Sequence, residues 1–188
     1  DEALALAREL VGAVRWLKVG MTLFYREGPA IVTELRELGF DVFLDLKLHD
    51  IPHQVEGAAE SVAGLGAGML TVHASGGPQM IAAAKRGVER GAREAGVTPP
   101  AVLAVTVLTS MDDVTLAELG VSRPSAAQVP HLAAMSLGAG ADGIVCSALE
   151  AAPVRAACGP GAWIVTPGIR PAGSPAGDQS RVCTPYDA

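Results

Sequence analysis

The sequence predicts an α/β protein made of repeated units of β-strand, loop and α-helix. Short β-rich runs end in polar residues, and each is followed by a segment with helical periodicity that closes at glycine. Similar glycine-containing returns at residues 38–41, 65–68 and 137–142 mark places where a helix must end before a buried strand begins. With 49% apolar and 18% charged residues among 188, the composition fits a packed core and excludes disorder and coiled coil.

Six strands and seven helices are predicted. The strands are residues 15–19, 42–47, 69–72, 101–107, 143–146 and 163–166, and a helix at residues 2–11 precedes the first of them. The glycines of the returns come before strands, whereas a dinucleotide-binding fingerprint has its glycines after a strand and at the start of a helix. A nucleotide-binding doubly wound fold is therefore disfavoured.

Polar residues at the ends of the strands favour a closed barrel over an open sheet, because the functional groups of a barrel lie where strands end. Those positions include Lys18, Asp45, Lys47, His73, Thr109 and Arg170. We therefore expect an eight-stranded (β/α)8 barrel, the TIM barrel. Residues 1–188 would form a single barrel domain that is incomplete at both ends, with strands 1 and 8 of the complete barrel absent from this chain.

Charge and cysteine content restrict the partners and the location. The net charge is −6 and the calculated pI is about 5.1, with no basic run, which argues against nucleic acid or an anionic membrane as a partner. No signal peptide or transmembrane segment is recognised. Three cysteines without a CxxC spacing fit a reducing compartment, so we expect a cytoplasmic protein.

The run at residues 42–48 alternates between apolar and other side chains. Its leucines at 44, 46 and 48 should face the helices, while Phe43, Asp45 and Lys47 should point into the barrel. A buried ion pair seldom adds net stability, so inward charges on such an apolar strand indicate a functional site. Lys18 ends the preceding strand and would add a third charge, whereas Asp50 lies beyond the strand, on the loop.

Three motifs carry a resemblance to a known family. They are Leu17-Lys18-Val19-Gly20, Asp45-Leu46-Lys47-Leu48-His49-Asp50-Ile51-Pro52 and Thr166-Pro167-Gly168-Ile169-Arg170-Pro171. Together they resemble bacterial orotidine 5′-phosphate decarboxylases, and the resemblance extends over the whole chain. Related keto-gulonate-phosphate decarboxylases and hexulose-phosphate synthases share only Asp-x-Lys-x-x-Asp and typically have a magnesium-binding acid at the position of Lys18. A lysine there favours the metal-free decarboxylase.

The resemblance implies a homodimeric barrel that converts orotidine 5′-phosphate to UMP in pyrimidine synthesis, without a cofactor or metal. Lys47 would donate a proton to C6 of the pyrimidine, and Asp45 would lie beside the substrate carboxylate. Lys18 would pair with Asp45 and reach the ribose. Asp50 and Ile51 would extend into the partner's active site and complete an alternating Lys-Asp-Lys-Asp array.

The resemblance also implies further substrate ligands. Thr109 would contact the pyrimidine through its hydroxyl group, and Arg170 and Gln179, in the Gly- and Pro-rich segment 167–181, would bind the phosphate. Gln54 stands where the family often has a threonine that contacts the partner's substrate. Two alternatives stay open: a non-catalytic barrel that binds a phosphate-bearing ligand, and a metal-dependent phosphosugar decarboxylase or aldolase.

Overall fold

A computed structural model describes residues 2–173 and 182–188, and this part of the chain contains six β-strands. All six predicted strands are confirmed, with boundaries that differ by two residues at most. The strands are β1 (Trp16–Gly20), β2 (Asp41–Leu48), β3 (Met69–His73), β4 (Ala101–Val105), β5 (Gly143–Val145) and β6 (Trp163–Val165).

The same part of the chain contains eight α-helices and a short 3₁₀ helix, so the prediction of seven helices is wrong. The helices are α1 (Glu2–Glu9), α2 (Met21–Glu27), α3 (Ala30–Glu37), α4 (Pro52–Ala63), α5 (Gly77–Ala95), α6 (Asp113–Glu118), α7 (Ser125–Gly138) and α8 (Ala148–Cys158). Two helices lie between β1 and β2, where Gly28 has a φ of 69° and Pro29 is the N-cap of the second helix. Two more lie between β4 and β5.

The chain divides into two compact units. The first extends to Val72 and includes Gln79–Val102; the second comprises His73–Pro78 and the chain from Leu103 onward. In the first unit β1, β2 and β3 pair in parallel in that order, and in the second β4, β5 and β6 do the same. Parallel neighbours joined through helices confirm the α/β class. Closure into eight strands, with strands 1 and 8 missing here, stays a prediction.

Strand β2 forms the centre of the sheet in the first unit. Val42, Leu44 and Leu46 are buried, while the residues between them are only partly covered, which confirms the predicted alternation up to Lys47. Leu48 is half-buried rather than buried, because the regular register ends just before it. The apolar side of β2 is covered by α3 and α4, so the alternate face is left for polar groups.

Helices α4 and α5 of the first unit pack with their backbones unusually close. A β-carbon at Gly87 or Gly91 of α5 would collide with the carbonyl oxygen of Glu56 or Glu60 in α4. Only glycine allows this approach, because it has no side chain to separate the helices. The packing fixes α4 and therefore the loop that leads into it from β2.

The second unit has its own core. Leu103 and Ile144 of neighbouring strands are fully buried, as are Val129 of α7 and Val154 of α8. Helix α8 begins with a capping box, in which Ser147 and Glu150 each bind a backbone N–H of the first turn. No helix within residues 2–173 and 182–188 is long and apolar enough to cross a membrane.

Candidate active site

Three charged side chains of the first unit meet near the ends of β1 and β2. The ammonium nitrogen of Lys18 lies 3.1 Å from Oδ2 of Asp45, and that of Lys47 lies 2.8 Å from Oδ1 of the same carboxylate. The structure therefore brings Lys18, Asp45 and Lys47 together, as the sequence predicted. We call these three residues the charged cluster.

Strand pairing explains why Lys18 reaches Asp45. In the parallel ladder Lys18 pairs with Phe43 and Gly20 pairs with Asp45, so the lysine and the aspartate are diagonal neighbours two residues apart. The long lysine side chain extends over the strand end, close to Gly20: its ammonium nitrogen lies 3.4 Å from where a β-carbon of that residue would be, an ordinary van der Waals contact.

The pairing of β2 with β3 is irregular around Lys47. Between the pairs Leu44–Leu70 and Leu48–Val72, β2 contains three residues and β3 contains only Thr71. Within this bulge Lys47 has a φ of 50°, which makes it the one residue other than glycine with positive φ in the described parts of the chain. Such a conformation costs roughly 1–2 kcal/mol, so the surrounding contacts must hold it.

Thr71 supplies two of those contacts. Its Oγ1 accepts a hydrogen bond from the backbone N–H of Lys47 at 2.8 Å and donates one to Oδ1 of Asp45 at 3.0 Å. The side chain is completely buried. Sequence reasoning did not identify Thr71 as a site residue. The available signal was a hydroxyl group within the otherwise apolar run that precedes His73.

The charged cluster keeps its carboxylate ionised. Burial would by itself raise the pKa of Asp45, but the hydrogen bond and charge of Lys47, together with the charge of Lys18, hold that pKa below its ordinary value. The Asp45 side chain is 12% exposed, against 26% for Lys47 and 54% for Lys18. Two cations flank one anion, so the cluster has a net positive charge and is suited to an anionic ligand.

Asp50, Ile51 and Gln54 lie outside the charged cluster. Asp50 is exposed in the connection between β2 and α4, and its carboxylate accepts a hydrogen bond from the N–H of Ile51 at 2.7 Å. Ile51 is 64% exposed although it is apolar, and Gln54 is exposed in the first turn of α4. These residues form a surface at the start of α4 that projects away from the core of the unit.

The remaining predicted ligands are Thr109 and Arg170, which belong to the second unit, and Gln179, which is not among the described residues. Thr109 is half-buried in the segment after β4. Arg170 is half-buried, its backbone N–H donates to the carbonyl of Cys183, and its guanidinium donates to the carbonyl of Ile169. Gln179 lies outside the described residues.

Comparison with known proteins identifies the family. The model of the orotidine 5′-phosphate decarboxylase / HUMPS family matches residues 1–188. The chain belongs to this family. The resemblance inferred from the three sequence motifs is thereby confirmed.

Individual members of the family agree with this assignment. A protein from Anaeromyxobacter sp. (strain K) named orotidine 5′-phosphate decarboxylase is 55% identical over 182 residues, which are 97% of this chain and 77% of that protein. One of the same name from Alcanivorax borkumensis is 49% identical over 187 residues, covering 100% of this chain and 79% of that protein.

A solved structure supports the barrel-type fold of the family. The crystal structure of orotidine 5′-phosphate decarboxylase from Lactobacillus acidophilus matches with a TM-score of 0.83 and 45% identity, over 92% of this chain and 78% of that one. A crystal structure of an uncharacterized conserved protein from Geobacillus kaustophilus matches with the same TM-score and 46% identity, over 88% of this chain and 77% of that one.

Some of the related enzymes named above depend on magnesium, so possible metal ligands among the described residues bear on the kind of site present. Within the described ranges, no three His, Cys, Asp or Glu side chains form a group that could hold a metal ion. At the position where those relatives have an acid, this family member has Lys18, whose ammonium group is bound to Asp45. The expectation of a metal-free, cofactor-free site stays a prediction.

Proposed function

We propose that this protein catalyses the decarboxylation of orotidine 5′-phosphate to UMP, a step of pyrimidine biosynthesis, as a carboxy-lyase without cofactor. Membership of the family and the names of relatives at about 50% identity support the reaction. The observation that carries the proposal within this chain is the charged cluster, in which one ionised carboxylate lies between two ammonium groups.

The reaction has one demanding step. When the bond between C6 and the carboxylate breaks, CO₂ leaves and the electron pair stays on C6 of the pyrimidine ring, where it is poorly delocalised. An enzyme must therefore place positive charge and a proton beside that atom in advance. We assign both tasks to Lys47, whose ammonium group would transfer a proton to C6 and then regain one from solvent.

Asp45 would lie beside the substrate carboxylate and fix the two lysines. Its lowered pKa keeps it charged near neutral pH, and its oxygens accept hydrogen bonds or ion pairs from Lys18, Lys47 and Thr71. Preorganised contacts of this kind need no rearrangement at the moment of reaction. Lys18, the most exposed of the three charges, would pair with Asp45 and contact the ribose.

Three residues would bind the parts of the substrate that do not react. Arg170 and Gln179 would bind the phosphate, and Thr109 would contact the pyrimidine, as the resemblance implies. Binding energy from a remote phosphate can be used to organise the reacting centre. This division of roles separates the affinity for nucleotide from the chemistry at Lys47.

We further propose a cytoplasmic homodimer in which Asp50, Ile51 and Gln54 enter the partner's site. Their exposure at the start of α4 supports this arrangement, since residues that enter a partner's site must be accessible on the surface of their own subunit. Asp50 would then place a second carboxylate next to the lysines of the other subunit. Two cations and two anions would balance, which makes their joint burial tolerable.

Direct measurement of turnover tests the proposal. The full-length protein is incubated with orotidine 5′-phosphate, and UMP and released CO₂ are quantified together. Equal amounts of the two products are expected. Binding of UMP without any turnover of orotidine 5′-phosphate would contradict the proposal and would favour a non-catalytic barrel that binds phosphate-bearing ligands.

A further inference from the structure

A buried hydroxyl group on β3 contacts the part of β2 that carries Asp45 and Lys47. Thr71 is the single β3 residue opposite the bulge of β2, and it contacts both ends of the Asp45–Lys47 segment. It contacts the carboxylate of one residue and the backbone of the other. None of the roles implied by the family resemblance uses this threonine.

The direction of both hydrogen bonds is determined by the chemistry of the groups. A backbone N–H can only donate, so Oγ1 of Thr71 must accept from Lys47. An ionised carboxylate can only accept, so the one proton of the hydroxyl must point to Oδ1 of Asp45. The hydroxyl therefore has one available orientation, and both of its partners fix it.

These bonds restrict the two residues that would do the chemistry. Oδ1 of Asp45 accepts from the Lys47 ammonium and from Thr71, while Oδ2 pairs with Lys18, so rotation of the carboxylate would break several contacts. The backbone of Lys47 has an unfavourable φ of 50°, and the hydrogen bond from its N–H to Thr71 offsets part of that free-energy cost. A methyl group in place of the hydroxyl would supply neither contact.

We propose that Thr71 is a positioning residue, whose hydroxyl holds the Asp45 carboxylate and the Lys47 backbone in the arrangement that the decarboxylation requires. This inference rests on the proposed function. Thr71 touches no reacting atom; it acts through Asp45 and Lys47. The hydroxyl, rather than the bulk of the side chain, is the part that matters.

Thr71→Val and Thr71→Ser separate the hydroxyl from the bulk. Valine keeps the branched shape and loses the hydroxyl, whereas serine keeps the hydroxyl and loses a methyl group. Misplacement of reacting groups by about 1 Å can cost about 100-fold in rate. We expect Thr71→Val to lower kcat by about 10- to 100-fold with KM changed less than about threefold, and Thr71→Ser to stay within about threefold of wild type.

A second readout does not depend on activity. Hydrogen exchange of the Lys47 backbone amide, followed by NMR, should be faster in Thr71→Val than in wild type and should return close to the wild-type rate in Thr71→Ser. If the valine variant does not fold, Thr71→Ala takes its place in both measurements. Thr106→Val is the matched control for stability, because Thr106 is another buried threonine whose hydroxyl donates to a backbone carbonyl, that of Val145.

The outcomes are distinct. A Thr71→Val enzyme with wild-type kcat, or a Thr71→Ser enzyme as slow as the valine variant, overturns the positioning role. A wild-type protein that does not turn over orotidine 5′-phosphate contradicts the proposed function instead. In that case exchange of the Lys47 amide decides whether the hydroxyl holds the Lys47 backbone: equal rates in wild type and Thr71→Val overturn this part of the inference, and a faster rate in the valine variant supports it.

Discussion

Two groups of charges in the first unit use the same side-chain chemistry in different surroundings. In the charged cluster, the side chain of Asp45 is almost covered; one of its partners, Lys47, lies in the bulge of β2, and the other, Lys18, lies on β1. Between α4 and α5, Glu56 binds Arg86 and Arg90, and Glu60 binds Arg90. Here regular helices carry the charges; the side chain of Arg86 is 59% exposed and that of Arg90 is 39% exposed.

The difference separates ion pairs that follow from helix packing alone from ion pairs that need a special backbone arrangement. The helix pairs form where two close-packed helices bring their surfaces together, and exposed pairs of this kind contribute little to stability. The hydrogen bonds of Arg86 lower the pKa of Glu56, and that of Arg90 lowers the pKa of Glu60, without any distortion of the backbone. The charged cluster instead coincides with a strained lysine and a buried hydroxyl. A strained backbone beside partly buried charges favours the proposed functional role of the cluster.

The largest difference between the two groups of charges is expected for substitution of Lys47. Lys47→Ala should abolish turnover while UMP still binds, because the phosphate contacts are expected elsewhere. The measurements are kcat with orotidine 5′-phosphate and the Kd of UMP. Lys85→Ala serves as the matched control, since Lys85 is the third lysine of the chain and lies on α5. Retention of more than about a tenth of the wild-type rate, less than ~1.4 kcal/mol of barrier, would remove Lys47 from the donor role.

The second prediction concerns the exposed surface at the start of α4. If Asp50 acts in the partner's site, mixing inactive Lys47→Ala and Asp50→Ala subunits should restore activity. Each mixed dimer would contain one site with both residues intact and one site with both lesions. Random exchange at equal amounts makes about half of the dimers mixed, so about a quarter of wild-type sites should recover.

Subunit exchange is verified by pull-down with two different affinity tags. If mixed dimers form and activity does not return, Asp50 works within its own chain.

A smaller effect is expected from the helix pairs. Glu56→Gln should lower the melting temperature by no more than about 3 °C and leave kcat unchanged, because Arg86 is exposed, Arg90 is partly exposed, and both can be solvated without Glu56. Thermal unfolding and steady-state kinetics of the same preparation give both values. A large loss of activity would show that the position of α4 depends on these pairs.

The smallest effect is expected from a chelator of divalent metal ions. Exhaustive treatment with EDTA should leave turnover unchanged, because Lys18 replaces the acid that helps bind magnesium in the related enzymes. Turnover that disappears on chelation and returns with magnesium would instead place the protein with the metal-dependent relatives.

The sequence predicted the elements and the charged cluster because both depend on local patterns. Alternation along β2 places Asp45 and Lys47 on one face, and a parallel neighbour places Lys18 within reach. The role of Thr71 could not be predicted in this way. It depends on a bulge that sets three residues of β2 against one of β3, and a register between distant segments leaves no trace in either segment alone.

The number of helices could not be predicted from local sequence either, as the connection between β1 and β2 shows. A helix-period segment of suitable length between β1 and β2 is interrupted by a Gly-Pro pair at Gly28 and Pro29, and the pair either ends a helix or only bends it, depending on the backbone around it. The structure shows that Gly28 adopts positive φ, so one helix ends and another begins. The Gly-Pro pair shows where the helix is interrupted, but local sequence does not show whether the helix ends there or only bends.

The close contact of α5 with α4 restricts how this sequence can evolve. At Gly87 and Gly91 even a single added methyl group would strike a main-chain carbonyl oxygen, which cannot turn aside as a side chain can. Helix α4 begins at Pro52, immediately after Asp50 and Ile51, so a shift of α4 would be passed on to those residues. Any residue larger than glycine at either position would therefore force the two helices apart, and the cost would reach residues that neither glycine touches.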